Sequence, residues 1–185
     1  YVEEQGLQAT DKEIAALLNR KQEVMEKDRK VMEARRKQLE KTLASNPPAG
    51  DARTRLEKEL ASLNGMQQAM AEADSRAGTP ESAAAENRVA RAFVEQWKVN
   101  QALFRQYGGR VIYQQGGAEP LDAYHEFFKA AQKSGELLIV NKDFEPAFWR
   151  YYTTDSLHKL VPESGTQEEQ AINTPWWMME RTTGQ

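Results

Sequence analysis

The chain has 185 residues, 29% of them charged and 39% hydrophobic, with a net charge of −3 and no cysteine. That length fits one domain, or a small domain with an extension. Interspersed basic and acidic residues argue against a nucleic-acid surface, no apolar run approaches the ~20 residues that span a bilayer, and the lack of cysteine excludes disulfides, thiolate zinc sites and cysteine nucleophiles.

Tyr1 to Leu7 reads as the end of a helix, with Gly6 as its stop. A first residue that is not Met fits either a cleaved signal peptide or a chain that lacks its upstream part. Thr10 followed by Glu13 three residues later is a capping box, so a helix starts at Asp11 and runs to about Ser45. Leu18, Met25, Met32 and Leu39 repeat every seven residues, with Leu17, Val24 and Val31 beside them, and the remaining surface is Lys, Arg and Glu. This is a heptad-like seam on a helix roughly 50 Å long. Asn46-Pro47-Pro48-Ala49-Gly50 ends it. A second helix over Asp51–Ala73 carries Leu56, Leu60, Leu63, Met66 and Met70 on one face. The spacing predicts an antiparallel hairpin packed through Leu18, Met25, Met32, Leu39, Leu56, Leu60 and Leu63. Its methionines are either seam filler or adaptable contact surface.

Ala77-Gly78-Thr79-Pro80 is a linker and a helix restart, with Thr79 as cap and Pro80 in the first turn. The next helix places Val89, Phe93, Trp97, Phe104 and Tyr107 at three- and four-residue steps, and Gly108-Gly109 stops it. Arg110 to Tyr113 reads as extended, followed by a break at Gly116-Gly117. Glu119-Pro120-Leu121-Asp122 opens a helix with Leu121, Tyr124, Phe127, Phe128 and Ala131 on its apolar face, ended by Gly135. Leu137 to Val140 is short and apolar and predicts a strand that could pair with Val111–Tyr113. Asp143 to Tyr152 reads as a short aromatic helix, Pro162 to Thr174 as polar loop, and Thr174 to Met179 as a last apolar anchor before a frayed end at 182–185. Phe93, Trp97, Phe104, Tyr124, Phe127, Phe148 and Trp149 are expected to form the core. The aromatics between Phe144 and Tyr152, with Trp176 and Trp177, also read as core, and an exposed subset of them would suit apolar peptide segments.

No catalytic constellation stands out. Glu119, Asp122, His125 and Glu126 have helical spacings, but they open a helix, where acids are expected anyway. Asp155, Ser156 and His158 have the residue types of a triad but are nearly consecutive, whereas a triad must converge in space. Glu168-Glu169 reads as a solvated pair in a loop, and neither Gly-Gly pair is a phosphate loop. The chain is therefore read as a non-enzyme, without cofactor or metal.

Tyr1-Val2-Glu3-Glu4-Gln5-Gly6-Leu7-Gln8-Ala9-Thr10-Asp11-Lys12-Glu13-Ile14 resembles the helix–Gly–turn–helix stretch in the N-terminal domain of SurA-type periplasmic chaperones and related parvulin-family foldases. The resemblance covers about the first twenty residues. It implies a largely helical, periplasmic chaperone module that holds unfolded polypeptide. No segment resembles the isomerase domain, so no isomerase activity is implied.

The expected fold is mainly α: an N-terminal helix end (1–10), a coiled-coil-like antiparallel hairpin (11–76) and an aromatic-rich helical body (77–185), with room for one small two-stranded β pair. The expected function is an extracytoplasmic SurA-like chaperone or polypeptide-binding module. The alternative is a structural or interaction protein whose hairpin engages a specific partner. Met66, Met70, Tyr107 and Tyr113 are the candidate binding residues. Unfolded polypeptide or one protein partner is expected, with no nucleic acid and no stable membrane insertion.

Overall fold

The computed structural model describes residues 1–45, 48–162 and 165–179. Asn46 and Pro47 of the expected breaker, and the frayed end at 182–185, lie outside them. Among the described residues the fold is mainly α: α1 (Asp11–Ser45), α2 (Asp51–Arg76), α3 (Pro80–Tyr107), α4 (Leu121–Ser134), α5 (Glu145–Thr153) and α6 (Thr166–Asn173), with strands β1 (Val111–Gln114) and β2 (Gly117–Pro120). No helix among them is long and apolar enough to cross a membrane. The chain forms two compact units. One comprises Tyr1–Ile14 with Arg91–Gln185, the other Ala15–Ala90.

The Ala15–Ala90 unit is built from most of α1, all of α2 and the first turns of α3. Its ion pairs give the chain directions: Arg35 with Glu59 at 2.7 Å, Arg29 with Asp74 at 2.8 Å, and Lys21 with Glu86 at 2.7 Å. Position falls along α1 as it rises through α2 and then α3, so both run antiparallel to α1. The two helices follow one another along α1, broken at 77–79 where Thr79 caps α3 through its Oγ1, which accepts from the Ser82 N–H at 3.1 Å. The seam differs from the heptad expectation. Leu17 and Leu39 are buried, but Met25 and Val31 are exposed, and α2 has no buried residue. A contact one helix wide leaves both flanks open to water, so only scattered seam positions are closed off. The long Lys, Arg and Glu stems cover the rest.

The other unit begins with a single turn whose Leu7 N–H donates to the Val2 carbonyl (2.9 Å) around Gly6, then the capping box. The Thr10 N–H donates to Glu13 Oε2 at 2.8 Å and the Glu13 N–H to Thr10 Oγ1 at 3.3 Å. This segment lies along α3: the Ala9 N–H donates to Glu95 at 3.2 Å, and Arg91 donates to the Ala9 carbonyl at 3.0 Å. The buried stripe of α3 is Ala90, Val94 and Leu103 with Asn100, rotated about one residue from the expected one. Trp97 and Phe104 are half-buried, while Val89, Phe93 and Tyr107 are exposed. Small and aliphatic side chains let neighbouring backbone approach α3, and its aromatics are left on the shoulder.

The expected β pair exists with a different partner. β1 pairs antiparallel with β2, in register Val111 with Pro120, Ile112 with Glu119 and Gln114 with Gly117, around the two-residue turn Gln115-Gly116. Leu137–Val140 is not a strand. Leu138 is 74% and Val140 85% exposed, and only Ile139 is buried. The second neighbour of β1 comes from much later in the chain: the Val161 N–H donates to the Val111 carbonyl and the Tyr113 N–H to the Lys159 carbonyl, both at 2.8 Å. Successive strand residues point to opposite faces, and here both faces are covered. Val111 packs with Val161, Ile172, Phe104 and Ala118, while Ile112 packs with Leu121, Tyr152, Phe128 and Phe148. The 166–173 stretch, expected as loop, is helix α6, which brings Ile172 to this core and buries Glu168.

Candidate functional site

On α3 the residues Phe93, Gln96, Trp97 and Asn100 follow at i, i+3, i+4 and i+7, a single stripe of the helix. They form one wall of a cavity of about 780 Å³. The β1–β2 turn forms its rim, Tyr124 and Phe128 of α4 with Tyr152 of α5 form the second wall, and Pro175, Trp176 and Trp177 after α6 form the third. Phe93, expected in the core, is 43% exposed here, and Trp176 is 39% exposed. A volume of this size accommodates a small ligand or a few side chains of a peptide.

The polar groups of the α3 wall are tied to one another. Gln96 donates to Asn100 Oδ1 at 3.0 Å and to the Tyr124 hydroxyl. That hydroxyl donates to the same Asn100 oxygen at 2.8 Å, and Asn100 Nδ2 donates to the Ala118 carbonyl at 2.9 Å. The network satisfies Asn100, which is buried, and pins β2 to α3. Trp97 does the same for the third wall. Its Nε1 donates to the Ile172 carbonyl at 2.9 Å, and its ring meets Trp177 edge-on at 5.7 Å. The indole Nε1 of Trp177 is buried with no acceptor among the described residues.

Glu119 is the carboxylic acid among the described residues of the cavity wall. It pairs with Ile112, so the two side chains share a face of the sheet, the face that carries Tyr124, Phe128 and Tyr152. No hydrogen bond or ion pair holds its carboxylate among the described residues. Burial pushes its proton affinity above the usual carboxylate range, partly offset by His158. The same burial, with the charge of Glu119, pushes the Tyr152 hydroxyl up to about 12, and burial raises Tyr124 as well.

The other polar cluster is structural. The Arg110 N–H donates to Asp122 Oδ2 at 2.7 Å, its guanidinium grips the same carboxylate (Nη2 to Oδ1 2.5 Å), and it also pairs with Asp155. Burial works to raise Asp122, but the Arg110 hydrogen bonds outweigh it and hold the carboxyl below its ordinary value. Gly109 makes this approach feasible: at φ 90°, a Cβ there would sit 2.4 Å from Asp122 Cβ. Asp122 is thus committed, and His125 lies between the Trp149 and Tyr152 rings at 5.6 and 6.1 Å. Burial, with Lys129, lowers the His125 proton affinity. Among the described residues no group of three or more His, Asp or Glu is placed to hold a metal ion. Asp155 faces Arg110, while His158 Nε2 lies 2.5 Å from the Tyr151 carbonyl oxygen, so these two do not form a relay.

Of the four candidate binding residues, Tyr113 lines the cavity, with Lys159 Nζ 5.6 Å from its ring centre. Tyr107 is at the end of α3, and it and Met66 on α2 are exposed. Met70 lines a shallow depression of about 170 Å³ with Met32, Leu63 and Arg29. The sequence reading did not single out Glu119 as an isolated acid, nor Gln96, Asn100 or the Gln115-Gly116 turn. The alternation of ring and amide at Phe93, Gln96, Trp97 and Asn100 was the available signal. No protein-family profile, no curated protein and no solved structure matches the chain.

Proposed function

We propose that the chain is a non-enzymatic polypeptide-binding module that takes an apolar stretch of an unfolded chain into the aromatic cavity. The carrying observation is an open cavity walled by Phe93, Trp97 and Trp176, with Phe93 and Trp176 substantially exposed, where a purely structural aromatic surface would be closed into the core. Tyr and Trp give large contact area at low entropic cost, which suits segments that share no single sequence. An extracytoplasmic setting and a SurA-like chaperone role, suggested by the capped segment at 1–14, belong to the same proposal.

The test pairs aggregation with tryptophan emission. A denatured β-barrel protein is diluted into buffer with and without the chain, in the absence of nucleotide. The expected result is suppressed light scattering and a shifted emission, since Trp97, Trp176 and Trp177 all line the cavity. Phe93→Ala with Trp176→Ala should abolish suppression while leaving the fold intact, because both side chains are substantially exposed. Unchanged scattering with wild-type protein, together with one stoichiometric partner recovered from native extract, would favour the second reading. In that reading the Ala15–Ala90 unit engages a dedicated partner through its exposed Met25, Val31 and Met66.

A further inference from the structure

We infer that the cavity selects a protonated amine: an alkylammonium on an apolar stem, its charge met by Glu119 and its methylenes by the surrounding rings. This deepens the polypeptide-binding reading and rests on it. The amine is then a lysine side chain or a free chain N-terminus.

Three observations lead there. First, among the described residues that line the wall there is no Lys, Arg or His, and Glu119 is the carboxylic acid. Second, the Gln96 and Asn100 amides and the Tyr124 hydroxyl are already joined to one another and to Ala118, and Gln114 donates to the Tyr151 hydroxyl, whereas the Glu119 carboxylate has no donor among the described residues. Its acceptor positions are therefore open to a ligand that brings N–H groups. Third, aromatic ring faces attract cations and give nothing comparable to anions, and Tyr152 and Phe128 share the face of the sheet on which Glu119 stands. A half-buried carboxylate that no ion pair holds among the described residues costs the folded protein free energy, which His158 offsets only in part, and an incoming ammonium reduces that cost. A carboxylate or phosphate ligand would add to it.

The test uses three synthetic peptides with one shared apolar-aromatic stem. The first is acetylated and contains lysine. The second is acetylated, with norleucine in place of that lysine. The third has the norleucine and a free N-terminus. Each is titrated against wild type and Glu119→Gln by tryptophan fluorescence and calorimetry, with circular dichroism to show that the variant is folded. The expected result is that one amine-bearing peptide binds about tenfold tighter than the neutral one, and that Glu119→Gln removes this preference. The first and third peptides distinguish side chain from terminus. Equal binding of all three to wild type, or a preference that survives Glu119→Gln, overturns the amine assignment and leaves the polypeptide reading standing. Failure of every peptide to bind overturns both.

Discussion

The two units bury their side chains in opposite ways. In the Ala15–Ala90 unit the helices meet along a narrow seam with Leu17 and Leu39 closed off, and ladders of solvent-exposed ion pairs run beside it. In the other unit a four-residue strand is covered on both faces, and rings from α4 and α5 interlock around it. The first arrangement pairs long helices with little buried apolar surface, and salt weakens its ion pairs. The second concentrates stability in few residues and leaves a cavity where the packing stops. Cohesion from exposed charge tolerates substitution, whereas cohesion from a dense core does not.

The sharpest way to break that contrast is Ile112→Ala. Ile112 is fully buried, and its truncation should cost about 2–5 kcal/mol. Chemical denaturation followed by near-ultraviolet circular dichroism reads the loss, and a cost below about 1 kcal/mol would mean that this core is not close-packed. Gly109→Ala comes next, at about 2–3 kcal/mol, because a Cβ would meet Asp122 in a backbone conformation that alanine resists. Gly78→Ala is the control within the polar unit: it has positive φ but nothing within 4 Å, so strain alone remains and the cost should be about 1 kcal/mol.

Glu119→Gln should show itself in the pH profile of stability. A carboxyl whose folded proton affinity is raised binds more protons in the native state, so its contribution to stability falls as pH rises through the interval between the unfolded and folded values. The substitution should therefore raise the melting temperature at neutral pH, with the advantage vanishing in acid below the unfolded carboxyl range. An advantage that persists in acid would indicate packing as its cause. The smallest effect belongs to Met66→Lys. At 52% exposure the side chain should tolerate the change within about 0.5 kcal/mol. Met70→Lys should cost more than Met66→Lys because Met70 is half-buried against Met32 and Leu63. Equal costs would show that the seam's flanks are not as open as described.

Much of the helical frame was legible because its signals are local. Thr10 with Glu13, Thr79 before Pro80, and Gly135 act within a few residues of where they stand, and the structure uses each as expected. The face of α3 was misread because periodicity weighs large rings, while the backbone approach that closes the core needs small side chains such as Ala90 and Val94. β2 reads Gly-Ala-Glu-Pro, which carries no strand propensity, and its pairing is imposed by the register of β1. Leu137–Val140 has the composition of a strand but finds no free edge on β1, which is flanked by β2 and the 159–161 segment. Nothing in the residues around Glu119 announces an acid without a partner. That isolation arises only when Ile112 turns its neighbour toward α4 and α5.

The two flanks of β1 also set an order of assembly. β2 follows within a few residues, so the hairpin can close as soon as it is synthesised. The 159–161 segment and Ile172 arrive some fifty residues later, and closing that larger loop costs entropy before any contact repays it. Until then Val111 has neither Val161 nor Ile172 over it, and the cavity lacks its third wall. Truncation from the C-terminal side before Val161 should therefore yield a chain whose β1–β2 hairpin and helices up to α5 form but whose other β1 edge stays open. Pulse-labelled hydrogen exchange should find the Val161 amide protected later than the α4 amides during refolding.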